Sequence, residues 1–200
     1  MIRAATLAEP LRVAVLVSGR GSNLAALIDR IEPTVRIVAV VSNRPDAVAL
    51  DRAEQEGIET AVFPRGDDPP ARDWALYRWL AERGVELVVL AGFMEILTEQ
   101  LVDRLPVINV HPSLLPAFPG LRAWEQALAA GVDVTGATVH FVDAGLDTGP
   151  VIAQAEVPVE PGDTPEALHL RIQAVEHRLL PDVVARLAAD AVPAPAEVGR

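Results

Sequence analysis

The sequence predicts an α/β fold: a single domain with a mostly parallel, Rossmann-like central sheet flanked by helices, plus a C-terminal extension of long strands and a helix. Three observations predict it. Short, continuous apolar runs rich in valine and isoleucine recur through the first half of the chain. Stretches with the apolar spacing of amphipathic helices separate them. A glycine loop follows the first apolar run and opens the first helical stretch. Continuous apolar strands alternating with amphipathic helices are the signature of a parallel sheet buried on both faces.

The elements follow in order. Strands are expected at 13–17, 37–41, 60–63, 87–90 and 107–110, and helices at 23–31, 47–56, 71–83 and 95–104. Gly57 and Gly84 fall where helices commonly end on glycine. After Asn109 the pattern changes. The run HPSLLPAFPG is too rich in proline for helix or central strand and is expected to be an ordered loop. A helix at 122–130 ends on Gly131, and two long strands, 137–142 and 151–159, are joined by the turn-rich DAGLDTGP. Thr164, followed by Pro165 and Glu166, has the chemistry of an N-cap for the last helix, with a break or kink expected at Pro181. The domain spans 1–200, with 1–10 and 191–200 expected as frayed tails.

Composition excludes several kinds of chemistry. Among 200 residues there is no cysteine and no lysine, so all 17 basic side chains are arginine. A thiolate nucleophile, a cysteine-ligated metal and a lysine Schiff base are therefore ruled out. The 28 acids give a formal charge of −11, and no basic block offers the clustered charge that nucleic acid needs. No apolar run approaches the roughly 20 residues that span a bilayer, and the N-terminus lacks a signal-peptide pattern. A cytoplasmic domain without nucleic-acid or membrane partners is the expectation. His169 and His177 lack a further ligand set, so no metal is expected.

The loop SGRGSNL, residues 18–24, reads either as an ordinary βα turn or as an anion cradle. Gly19 and Gly21 permit a tight turn, and Ser22 and Asn23 stand where a helix leaves its first amides unpaired. It is not a dinucleotide fingerprint, because Leu24 replaces the third glycine. Asn109 and His111 alternate onto one side at the end of the fifth strand, where ligand chemistry gathers in open α/β sheets. Asp147 lies in a turn shaped by Gly145, Gly149 and Pro150, and beside His111 it would favour the imidazolium. Taken singly, each also reads as structure: a hydrogen-bonded histidine, or an aspartate serving its turn. His140 reads as lining the site or as shaping it.

Taken together, SGRGSNL, VSNRPDA, LAGFMEIL, INVHPSLLPAFPG, ATVHFVDAGLDTGPVIAQ and RIQAVEH, in this order, resemble the phosphoribosylglycinamide formyltransferases over residues 12–187. HPSLLP with the later DxGxDxGP is shared by the wider group using 10-formyltetrahydrofolate, whereas SGRGSN and the compact length suit the glycinamide ribonucleotide branch. The resemblance implies formyl transfer from 10-formyltetrahydrofolate, as cosubstrate, to the amine of glycinamide ribonucleotide in purine synthesis. It implies Asn109, His111 and Asp147 as the catalytic set. Gly21, Ser22 and Asn23 would hold the ribonucleotide phosphate, and Gln173 and Glu176 its glycinamide and ribose portion. Met94, Glu95, Ile96 and Leu97 would form the pterin wall with Asn109 nearby, and Arg72 would face the folate's glutamate tail. Glu95 departs from the arginine often found at its position. The implied mechanism is direct attack of the amine on the formyl carbon through a tetrahedral intermediate, with Asn109 and protonated His111 donating to its oxygen. The alternatives are a 10-formyltetrahydrofolate hydrolase, in which water replaces the amine, and a non-catalytic nucleotide-binding module. Pairing as a homodimer is left open.

Overall fold

The computed structural model describes residues 2–190. Five parallel strands, β1 (Leu11–Val17), β2 (Val35–Ser42), β3 (Glu59–Val62), β4 (Leu87–Leu90) and β5 (Val107–His111), are followed by antiparallel β6 (Val134–Phe141) and β7 (Val151–Pro158). They form one seven-stranded sheet in the order β3-β2-β1-β4-β5-β6-β7. Helices α1 (Ser22–Arg30), α2 (Val48–Gln55), α3 (Pro69–Glu82), α4 (Glu99–Val102), α5 (Ala123–Ala130) and α6 (Pro165–Ala189) surround it. The expected α/β class and the C-terminal strand-and-helix extension are both present.

Alternation along β1 shows why these strands read as continuous apolar runs. Val13, Val15 and Val17 pack with Leu24 and Leu27 of α1, Leu50 of α2, and Leu180 and Val184 of α6. Ala14 and Leu16 point the other way, into a core with Leu76 and Leu80 of α3 and Leu101 of α4. Both faces are covered, so every position from Val13 to Val17 is aliphatic. A smaller core joins Ala137 and Val157 of the extension to Leu168 and Ile172 of α6, with Trp124 packed against it.

Three local expectations are corrected. The helix expected over 95–104 is confined to Glu99–Val102. Its first residues are instead held as a loop by the Met94 amide donating to Ser18 Oγ at 2.8 Å and the Thr98 amide donating to the buried Asp73 carboxylate at 2.6 Å. Of the break or kink expected at Pro181, the break does not occur, because α6 continues through it to Ala189. The missing N–H costs one bond, while Leu180, Val183, Val184 and Leu187 around it are buried against the sheet. Residues 2–10 are tied down rather than frayed. Ile2 is fully buried, the Ala5 amide donates to the Ala188 carbonyl at 2.7 Å, and Arg3 pairs with Glu86 at 2.6 Å. The other expected tail, 191–200, lies outside the described residues.

Candidate active site

Strand order reverses between β1 and β4, so the loops leaving these strands diverge and open a crevice at the carboxyl edge of the sheet. On one side is the glycine loop. Gly21 adopts φ 74°, and a Cβ there would lie 2.6 Å from Ala49 Cβ, so α1 can begin this close to α2 only on glycine. The first-turn amides of α1 have no side-chain cap and remain available to an anion. Asn23 turns inward, its Nδ2 donating to Glu176 Oε2 of α6 at 3.0 Å. Burial pushes the Glu176 carboxyl up to about 7, against the opposing effect of the Asn23 bond. Gln173 stands on the same helix, three residues before Glu176.

Across the crevice, β5 delivers Asn109 and His111. Pairing with β6 sets Asn109 opposite His140, and Asn109 Nδ2 lies 3.2 Å from His140 Nε2. His140 Nδ1 is 2.8 Å from the Phe141 carbonyl, which can only accept, so Nδ1 carries the hydrogen. Desolvation depresses the His140 pKa and favours the neutral ring, whose Nε2 then accepts from Asn109. One hydrogen of the Asn109 amide is thereby fixed on His140 and the other is left for the cavity. The 3.6 Å approach of His140 Nε2 to Asp147 Oδ1 is accordingly not an ion pair in the neutral state.

His111 Nε2 lies 2.9 Å from the Phe118 carbonyl, again placing the hydrogen on that nitrogen, and Nδ1 faces Asp147 Oδ2 at 3.4 Å. Asp147 is held in turn by the Gly120 amide, which donates to Oδ2 at 2.8 Å. Its φ of 54° is left-handed, a conformation aspartate tolerates better than most side chains. Gly149 is needed for the same turn, since a Cβ there would come within 1.9 Å of the Phe141 carbonyl oxygen. The structure therefore brings Asn109, His111 and Asp147 to one place, with His140 as a fourth member.

These residues line one end of a cavity of about 930 Å³. Arg72, Met94, Glu95, Ile96 and Leu97 line it too, together with Leu121, Trp124, Val142 and Leu146. Met94, Ile96, Leu121 and Leu146 are exposed at 63%, 64%, 75% and 54%, an unusual gathering of large apolar side chains around one opening. Such a surface suits the faces of a flat ring system, and polar groups on the ring edge would need separate partners. Leu97, at 2%, supports the wall from behind. Among the described residues, no group of three or more His, Asp and Glu side chains is placed to hold a metal ion.

At the far wall Arg72 is buried between two carboxylates. Its Nη1 lies 2.5 Å from Glu95 Oε2, and its Nε lies 2.6 Å from Asp73 Oδ1. Glu95 also accepts from Asn43 Nδ2 at 2.7 Å, and Asn43 Oδ1 accepts from Ser18 Oγ at 2.6 Å. A continuous polar chain thus ties the loop after β1 to the cavity wall after β4.

Comparison with known proteins identifies the family. Residues 11–184 match the family model described as formyl transferase. The chain belongs to the formyl transferase family. It is 45% identical over 189 residues to a Mycobacterium tuberculosis phosphoribosylglycinamide formyltransferase, covering 92% of this chain and 87% of that one. A glycinamide ribonucleotide transformylase from Symbiobacterium toebii has the same fold, with a TM-score of 0.86, 45% identity, and coverage of 90% of this chain and 88% of that one. The chain is also 47% identical to a trifunctional purine biosynthetic protein of Drosophila pseudoobscura pseudoobscura, but there it spans 14% of the relative's length.

Three features of this formyltransferase site lie beyond the sequence reading. The reading left the role of His140 open, although strand alternation carried it to the site. The Phe118 carbonyl and Gly120 amide, which orient His111 and Asp147, belong to a proline-bounded loop whose path has no periodicity to reveal it. Asn43 looked unassigned until β2 and β4 were placed on either side of β1.

Proposed function

We propose that this formyltransferase transfers the formyl group of 10-formyltetrahydrofolate to the amine of glycinamide ribonucleotide, with both substrates held in the crevice at once. The observation that carries this reading is that Asn109, His111 and Asp147 face one cavity, with Asn109 oriented by a neutral His140. The cosubstrate supplies the formyl carbon, which the amine attacks to give a tetrahedral carbon with negative charge on oxygen. The free Asn109 amide hydrogen donates to that oxygen, and one such donor is worth about 3–4 kcal/mol of barrier. Because Nε2–H of His111 is committed to Phe118, a proton arriving at Nδ1 makes the ring an imidazolium facing Asp147. That proton is donated to the oxyanion and then passes to the departing N10. Asp147 orients the ring, receives through water the proton lost by the attacking amine, and passes it to Nδ1, which restores the imidazolium and closes the proton balance.

The ribonucleotide phosphate would sit on the first-turn amides of α1 at Gly21, Ser22 and Asn23, with Gln173 and Glu176 toward its ribose and glycinamide portion. The folate ring would lie against Met94, Ile96 and Leu97, reaching Asn109, with Arg72 and Glu95 bracing the same wall. Nothing in this reading needs a nucleic acid, a membrane or a metal, and its setting is the cytoplasm. The test is a two-substrate assay with each substrate omitted in turn. Formyl transfer that requires both supports the reading. Loss of formyl from the folate at the same rate without ribonucleotide would assign a hydrolase instead.

A further inference from the structure

Resting on the roles proposed above for His111 and Asp147, we propose that Gln126, exposed on α5, is a positioning residue for formyl transfer: it holds the Pro119–Gly120 peptide so that its N–H stays on Asp147. Asp147 is lightly held for a residue with such a task. Its carboxylate accepts one hydrogen bond among the described residues, from the Gly120 amide at 2.8 Å. The two imidazoles stand farther off, His111 Nδ1 at 3.4 Å and His140 Nε2 at 3.6 Å. The direction of the carboxylate therefore depends on where that single N–H points.

The two residues that share this peptide do not fix its direction by themselves. Gly120 has φ 79°, and glycine populates negative φ about as readily. Pro119 has no N–H with which to anchor the unit from its other side. Gln126 supplies the anchor. Its Nε2 donates to the Pro119 carbonyl at 3.2 Å and to the Leu121 carbonyl at 2.9 Å, one hydrogen to each. Pro119 C=O and Gly120 N–H are opposite ends of one planar unit. A rotation that carries the carbonyl off Gln126 also carries the N–H off Asp147 and turns an oxygen toward the carboxylate. The bond accepted at the carbonyl further polarises the N–H, which strengthens its grip on the charged oxygen.

The placement of Gln126 suits this role. It reaches back from α5 to the chain that enters the helix. It is exposed and stands outside the cavity lining, to which Gly120 and Leu121 belong. A side chain so placed acts on the reaction through Asp147 rather than by contact with a substrate. The Phe118 carbonyl, one residue earlier, holds Nε2 of His111. Residues 118–120 thus orient both catalytic side chains, and Gln126 grips the segment between them.

The experiment places Gln126→Met, which keeps the length of the side chain and removes both donors, in the wild type and in the Asp147→Asn background. Gln126→Met alone is expected to lower kcat about tenfold, with both KM values held within about twofold. In Asp147→Asn the same substitution should lower the residual single-turnover rate less than about twofold, because a residue acting through another loses its effect once that partner is disabled. Gln126→Glu turns carboxylate oxygens on the two carbonyls and should lose at least as much as Gln126→Met. In 1H–15N spectra the Gly120 amide proton, drawn downfield by the carboxylate, should move upfield in Gln126→Met and in Asp147→Asn alike. Near-wild-type kcat in either Gln126 variant, a raised KM in place of a lowered kcat, or equal fractional losses with and without the Asp147 charge overturns the proposal. Wild-type transfer that survives Asp147→Asn intact overturns the catalytic reading of Asp147 instead.

Discussion

Replacing Glu176 with glutamine removes a carboxyl group whose ionisation the fold resists. Desolvation raises its folded-state pKa from the ordinary 4.5 to about 7. A raised pKa means that the folded state holds the proton more tightly than the unfolded chain. Its contribution to stability is therefore fully present below pH 4.5 and is lost as pH rises through about 7. Between those limits the loss is about 3 kcal/mol, and between pH 5 and pH 8 it is about 2 kcal/mol. Glutamine retains a carbonyl to accept from Asn23 but cannot ionise, so any cost of its extra N–H groups is independent of pH. Denaturant unfolding of both proteins at pH 5 and pH 8 isolates the effect. All other titrations, including that of His140 with its depressed pKa, are common to the two and cancel. Wild type is expected to lose about 2 kcal/mol more than the variant across that interval, or roughly 4–8 °C in Tm for a domain of this size. Parallel stability curves would refute the claim that burial controls this carboxyl.

Further outcomes follow from the same geometry. Asn109→Ala should lower kcat about a hundred- to thousandfold, the usual loss for one oxyanion donor, as followed by release of tetrahydrofolate. Asp147→Asn preserves a side chain that tolerates φ 54° while removing the charge, so the fold should persist by circular dichroism as transfer falls sharply. Protonation of His140 would replace the acceptor for Asn109 with a donor, and because burial holds its pKa below the ordinary 6.5, kcat should decline through this group only at acid pH; a decline that His140→Gln abolishes but that is centred above 6.5 would argue against a buried, neutral ring. Asn23→Ala leaves the α1 amides in place but strips Glu176 of its hydrogen bond, and should raise KM for the ribonucleotide more than KM for the folate in steady-state assays.

Much of the fold was legible because its signals are local. The central parallel strands carry continuous apolar runs, since both faces of the sheet are buried there, and the N-caps and glycines mark the ends of helices. The segment 95–104 misled because its apolar spacing suits a helix, while Ser18 and Asp73, distant in sequence, hold its amides in a loop. Pro181 misled for the converse reason: a local penalty was outweighed by burial along a long helix. Within the site, Asn109 and His111 were legible through strand alternation, and Asp147 through its turn.

The amino-acid sequence by itself determined the chemical inventory of this protein. It ruled out cysteine and lysine chemistry, supplied an amide and an imidazole at a strand end and a carboxylate in a turn, and placed a glycine where α1 begins. Only the tertiary structure decided how those groups are used. The β5–β6 register puts His140 behind Asn109, and burial raises the Glu176 carboxyl toward neutrality. Glu95 and Asp73, on separate elements, enclose Arg72. The physical reason is that residue type fixes which hydrogen bonds and charges a group can offer. Desolvation and the partners met across the fold fix how much of that capacity remains for a ligand.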